Sequence, residues 1–350
     1  MGSSLHPPPE VIASWPRPNY VNPETQGPAL TYICIGFTSV SLFLVTARIY
    51  ARYLITKALG LDDLFCIISL ILGTSLAVLI IIAKKEYGTG LHVWDLHISW
   101  ATPNRLLIWS SEWCYVLASS SIKISILLFY KRLSQPFPVA FRIATWIGIL
   151  YNIGYALGFG LALGLICRPI DAYWNQFSPQ WQKDGNTFHC GREEISLPMS
   201  GALSVIGDFY STVLPLVLVW HLKLPRGKKL ALYTLFALGF LVVVAGVIRT
   251  ILLNVVINRT WDPLWELDTM WIWTIVELNL AIVAASAPAL KSFFQHFLIR
   301  PTASLYKRVR TPNGTTSGER DVYRMESVEL CKCGEEEDKA VKIEDIGRVV

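Results

Sequence analysis

Seven apolar stretches, each long enough to cross a lipid bilayer, run through this chain. They are Leu30–Tyr50, Asp63–Ala83, Leu106–Tyr130, Phe141–Ile166, Leu197–His221, Leu230–Ile257 and Trp271–Phe297. A helix needs about 20 predominantly apolar residues to cross ~30 Å of hydrocarbon. Leu64–Ala83 and Leu230–Ile248 contain no charged residue at all. A surface helix of a soluble enzyme is polar along one face. The sequence therefore reads as an all-α membrane protein with seven transmembrane helices.

Composition supports this class. The chain is 53% apolar and 16% charged, whereas soluble domains carry roughly 25% charged residues. Seven helices and a tail use up its 350 residues. The net charge of +5 is concentrated in short loops beside the helices. That pattern sets membrane orientation and gives no reason to expect a nucleic-acid partner.

Positive residues stay on the cytoplasmic side. Arg17 precedes the first helix, whereas Arg48, Arg52 and Lys57 lie at or beyond its far end. Lys131, Arg132, Arg142, Lys223, Arg226, Lys228 and Lys229 fall on the same side. The N-terminus is thus expected outside and the C-terminus in the cytoplasm. Lys84 and Lys85 fall on the wrong side, where long side chains can snorkel. Residues 1–29 are rich in Pro, Ser and Asn and lack a signal peptide's apolar core. They read as a disordered extracellular or lumenal segment, residues 30–300 as the seven-helix domain, and residues 301–350 as a disordered cytoplasmic tail. Cys331 and Cys333 in that tail lack a second pair, so no metal site is expected.

Ionisable residues inside membrane helices usually face the bundle interior and mark function. Glu112, Lys123, Asp208, Arg249 and Glu277 meet that description. They form either a mutually neutralised charge network or the polar wall of a ligand pocket. Glu277 is the expected partner of Arg249, with Glu112 second. Lys123 faces either Asp208 or the Asp62–Asp63 pair, whose simplest role is capping the second helix. Cys167 and Cys190 both lie in the largest outer loop and are expected to form a disulfide. Cys114 is a competing partner. Asn258-Arg259-Thr260 is a possible glycosylation site. Tryptophans near the outer helix ends suit an interfacial belt, with an aromatic cage as the alternative. No phosphate-binding glycine loop or zinc-binding histidine pair occurs. The seventh helix has no lysine at mid-depth, since Lys291 lies near its inner end. No retinal or other cofactor is expected.

Several phrases occur together in a characteristic order. They are Arg48-Ile-Tyr-Ala-Arg52 followed by Leu59-Gly-Leu-Asp-Asp63, and Lys123-Ile-Ser-Ile-Leu-Leu-Phe-Tyr130. Cys167-Arg-Pro169 with Trp174 and Cys190 comes next, then Asp208 with Pro215, Trp220 and Leu222, and last Glu277 with Ala287-Pro288. Over about Ala29–Arg300 the chain resembles the fungal rhodopsin-domain family of integral membrane proteins. The resemblance implies a seven-helix fold and a receptor-like role, without supplying a ligand. The expected function is therefore a receptor-like sensor of a small molecule, with a cytoplasmic signalling partner. A membrane-embedded enzyme (a cyclase or isomerase) or a transporter for a lipid-like secondary metabolite is the alternative. The expected location is the plasma membrane or another secretory-pathway membrane, with the lipid bilayer as the protein's main surroundings.

Overall fold

A computed structural model of the chain describes residues 7–133, 139–221 and 226–294. Within these, side chains at 133, 179, 182, 216–221, 226–235 and 288–294 are not described. The tail cysteines, the Glu335–Asp338 run and Asn313 lie outside the described residues, as does the side chain of Lys291.

A short helix α1 (Pro9–Ser14) precedes α2 (Ala29–Tyr50), which continues into a π-helical turn at Ala51–Ile55. Then come α3 (Leu61–Glu86), α4 (Ile98–Leu133) and α5 (Val139–Leu165). A small loop region holds β1 (Cys167–Arg168), α6 (Ala172–Asn175), α7 (Pro179–Lys183) and β2 (His189–Cys190). Three long helices follow: α8 (Glu193–His221), α9 (Arg226–Asn258) and α10 (Pro263–Phe294). Six segments among the described residues are long and apolar enough to cross a membrane. They are Ala29–Ile55, Leu61–Glu86, Ile98–Arg132, Val139–Leu165, Phe236–Asn258 and Pro263–Ala287.

The long helices pack in a closed ring. Each touches its neighbour in sequence, and α10 returns to pack on α2. Helix α4 also touches α8 and α10, so it runs through the centre. Leu76, Ile80, Tyr115, Ile122, Met270, Ile275, Leu278 and Ile282 are almost wholly buried there. The outward faces carry Phe43, Ile71, Ile147, Leu150, Leu157, Leu161, Phe209 and Ile251, all more than half exposed. An apolar surface this extensive is what hydrocarbon, not water, can cover. Helices α8 and α9 approach closely because glycines line their crossing. A Cβ at Gly201 would meet Thr250 at 2.9 Å, and one at Gly239 would meet Thr212 at 2.7 Å. Small residues at such contacts allow tight backbone packing in membranes.

Two helices start eight residues earlier than hydropathy suggests. Helix α4 begins at Ile98 rather than Leu106, and α10 at Pro263 rather than Trp271. The added residues include Arg105 and Asp268, which break the apolar pattern. Both are buried because Glu193 and Lys84 neutralise them. Pro263 opens α10, where its missing N–H costs nothing. Trp100 and Trp265 are therefore helical.

The described part of the N-terminal segment is also more ordered than its composition implies. The Asn19 backbone N–H donates to Asp95 at 2.8 Å. Gln26 donates from its backbone to Gly90 and from its side chain to Trp265. Trp15 packs on Trp94 with ring centroids 5.9 Å apart. These contacts are made to distant loops, so local composition does not reveal them.

Candidate functional site

Both ends of the bundle carry buried charge. The disulfide end is the richer. A cavity of about 410 Å³ opens there between α4, α8, α9 and α10, beneath Pro7, Trp15 and Tyr20 of the N-terminal segment. Such a volume lies within the usual range for small-molecule pockets. Its walls are mostly apolar, including Ile108, Leu253, Val256, Leu264, Leu267 and Met270. Helix α4 contributes Ala101, Asn104, Arg105, Ile108 and Glu112, whose spacing of three and four residues puts them on one face.

Two arginines here are built alike. Arg105 pairs through Nη2 with Glu193, and its guanidinium lies 4.3 Å from the centre of the Tyr173 ring. Burial pushes the Tyr173 phenol up from its ordinary pKa. Arg249 pairs through Nε with Glu277 Oε2 at 2.7 Å, and its guanidinium lies 4.4 Å from the centre of the Tyr115 ring. A planar guanidinium accepts a carboxylate at its edge and an aromatic ring on its face. Glu112 differs. It is buried in the cavity wall, yet no ion pair or hydrogen bond among the described residues reaches it.

Below the cavity the same face of α4 continues through Tyr115, Ser119 and Lys123. The Tyr115 hydroxyl donates to Glu277 Oε1 at 2.6 Å and lies 3.0 Å from Ser204 Oγ. Lys123 donates to Ser204 Oγ at 2.8 Å and to its carbonyl at 2.9 Å, and lies 3.1 Å from Asp208 Oδ2. That oxygen has ion-pair distance without good hydrogen-bond geometry. A void of about 30 Å³ adjoins Lys123 and Asp208, enough for a single water. A continuous polar chain thus links Arg249, Glu277, Tyr115, Ser204, Lys123 and Asp208. The structure brings together four of the five ionisable residues singled out in the sequence, and sets Glu112 beside them at the cavity.

The opposite end holds a second cluster. Arg48 donates from Nη2 to Asp62 at 2.7 Å, from Nε to Asp63 at 2.8 Å, and from Nη1 to the Ala285 carbonyl. Arg52 lies 2.8 Å from Asp62 and 3.3 Å from Asp63. Asp63 also accepts the Gly60 N–H at 3.1 Å, so capping and charge pairing are both served. Ser125 of α4 donates to the Asp62 carbonyl at 2.5 Å. Arg48 and Arg52 are buried ion-pair residues, not loop charges in water. Their four-residue spacing, followed by adjacent acids, is the sequence signal for this arrangement. Arg105, Glu193 and Asp268 gave no such signal, because their partners are far away in sequence.

Cys167 and Cys190 form a disulfide across the β1–β2 pair. Cys114 is free. Lys84 is held by Asp268 rather than snorkelling. Trp94 and Trp265 stack on the two faces of His92, at centroid distances of 4.5 and 4.1 Å. His92 also lies 2.5 Å from Asp262. Trp94 before α4 and Trp265 of α10 thus clasp His92 between them. The Asn258 amide donates to the Glu194 carbonyl at 3.1 Å and to Asn254 at 2.9 Å. A glycan on that nitrogen would displace these bonds. No group of three metal-ligating side chains occurs among the described residues.

Comparison with known proteins fixes the family. A sequence model of the fungal rhodopsin domain matches residues 47–296, well over half of the chain. The chain belongs to the fungal rhodopsin domain family. It is similar to a SAT4 family membrane protein of Emericella nidulans, at 29% identity over 281 residues. That match covers 79% of this chain and 65% of the relative. It is also similar to the polyenoic acids biosynthesis gene cluster protein Ba17b of Metarhizium anisopliae, at 26% identity over 75% of this chain and 73% of that one. A third relative is Receptor GIN3 of Arthrobotrys oligospora, 28% identical over 52% of this chain and 42% of its own length. No solved structure matches the chain significantly. Family and hydropathy together make this fungal rhodopsin domain protein a multi-pass membrane protein.

Proposed function

We propose that this protein is a receptor-like sensor of a small molecule, with seven transmembrane helices, its N-terminus outside and its C-terminus in the cytoplasm. The observation that carries this reading is the cavity at the disulfide end, whose wall leads directly into the buried polar chain. A ligand between α4, α8, α9 and α10 would press on Glu112 and its neighbours Arg249 and Tyr115. The chain from Arg249 to Asp208 connects all four helices of that wall, so a changed pairing would shift helices against one another. The Arg48–Asp62–Asp63 cluster then transmits the shift to the inner loop and to a cytoplasmic signalling partner. Orientation follows from the inner excess of Lys and Arg. The name of the Arthrobotrys relative supports a receptor role. The plasma membrane or another secretory-pathway membrane is the assigned location.

We assign no retinal to the cavity. A Schiff base needs a lysine with room beside it. Lys84 is held by Asp268, and Lys123 is bonded to Ser204 beside a void of about 30 Å³.

Hydrogen exchange tests the sensor. Fractions of the fungus's growth surroundings, added to protein in lipid nanodiscs, should change exchange in the inner loop 56–61. If no fraction does so, the reading fails.

The second reading is a membrane-embedded enzyme or transporter for a lipid-like secondary metabolite. It is favoured by the Metarhizium relative named for a polyenoic acids biosynthesis gene cluster. Here Glu112 would be the acid–base residue facing the cavity. Deletion of the gene separates the two. An accumulated precursor means enzyme or transporter, whereas loss of induction of a whole response means sensor.

A further inference from the structure

We infer that the cavity at the disulfide end takes an elongated apolar molecule whose buried end carries a protonated amine, held by Glu112. This deepens the sensor reading and uses the same cavity. Arg105, Arg249 and Lys123 each have a carboxylate of their own, in Glu193, Glu277 and Asp208. Glu112 is left over. It is 8% exposed, lines the cavity and has no hydrogen bond or ion pair among the described residues. Arg249 and Arg105 act on it only at a distance, so its burial keeps a cost that a cation in direct contact removes.

The other polar groups do not compete for the same ligand atom. Asn104 already donates to the Tyr87 carbonyl and to Thr89. Arg249 keeps its contact with Glu277. Arg105 Nε is buried and unbonded, but Glu193 already meets its charge. That N–H accommodates a neutral oxygen on the ligand rather than an anion.

Shape follows from the helix. Ile98 and Glu112 both line the cavity. At ~1.5 Å rise per residue the α4 wall is about 21 Å long. Glu112 lies at the end farthest from Trp15 and Tyr20, which cover the mouth. Between them the wall is mostly apolar, with Ile108, Leu253 and Met270, and Asn104 and Arg105 are polar exceptions on α4. A ligand entering at the mouth therefore leads with its amine and buries its apolar body behind it.

Three probes of equal length test the charge: dodecylamine, dodecanol and dodecanoate. Each is titrated calorimetrically into the full-length protein in nanodiscs, with empty nanodiscs subtracted. Dodecylamine should saturate a single site and bind at least about tenfold tighter than dodecanol, as one charge-assisted hydrogen bond allows. Glu112→Gln should remove that difference. Glu112→Asp keeps the charge and should keep the preference, which guards against a folding defect in the first variant. Equal affinity for amine and alcohol, tighter binding of dodecanoate, or no saturable amine site would overturn the inference. The sensor reading is judged separately. Amine binding with no change of exchange in loop 56–61 leaves the amine site standing and removes the sensor.

Discussion

Arg249 and Glu277 meet on adjacent helices through one contact of 2.7 Å, with both side chains 3% exposed. The geometry is unsymmetrical. Nε is bonded and Nη2 is not, while the guanidinium face is covered by Tyr115. Glu277 in turn accepts the Tyr115 hydroxyl. Three helices, α4, α9 and α10, are thereby tied at one point inside the bundle.

Removing one partner of that pair strands the other. Arg249→Met and Glu277→Gln are each expected to cost about 3–5 kcal/mol, the usual penalty for leaving a buried charge alone. The double variant should lose less than the two together. Thermal unfolding in nanodiscs measures this, and strictly additive losses would show that the contact is not coupled.

Arg48→Lys should be far from conservative. The guanidinium serves Asp62, Asp63 and the Ala285 carbonyl from three nitrogens, and one ammonium cannot hold all three positions. A loss of about 3 kcal/mol is expected. Arg142 is exposed, so Arg142→Lys should stay within about 0.5 kcal/mol. Comparable melting shifts in the two variants would contradict the buried cluster.

The disulfide closes a loop of sequence separation 23. Cys167→Ser with Cys190→Ser should lower stability by about 2–4 kcal/mol. Cys114→Ser should change little, because that thiol is free. Peptide mapping without reduction should recover Cys167 linked to Cys190. Recovery of Cys114 in the bridge would refute the pairing.

Gly239→Ala should destabilise by about 1–3 kcal/mol, the usual range for overpacking. Its Cβ would sit 2.7 Å from Thr212 Oγ1. Gly154→Ala has nothing within 4 Å and should be neutral or slightly stabilising, since alanine favours helix. Equal melting temperatures for the two variants would mean that α8 and α9 do not cross as described.

Orientation is read from sugar attachment. Asn258 is expected unmodified despite its sequon, because its amide is engaged by Glu194 and Asn254. Asn313-Gly314-Thr315 is expected unmodified because the proposed topology puts it in the cytoplasm. A glycan on Asn313, found by glycosidase shift, would reverse the proposed topology.

The sequence alone determines the class of this protein. Long uncharged runs such as Leu64–Ala83 must leave water, whatever surrounds them. The ionisable residues at 112, 123, 208, 249 and 277 are equally legible, because charge inside such runs is conspicuous. The Cys167–Cys190 pairing follows from the scarcity of cysteines in the loops. Tertiary structure decides what sequence spacing cannot encode. Asp268 and Arg105 look like loop charges until Lys84 and Glu193, far away in the chain, neutralise them and let α10 and α4 extend. The N-terminal segment looks disordered until Asp95, Gly90 and Trp265 fix it. Lys123 could reach either acidic group by depth, and only helix rotation directs it to Asp208. Glu112 has the same sequence signature as its paired neighbours. That it stands alone in a cavity wall depends on the side-chain directions of four helices, which hydropathy does not record.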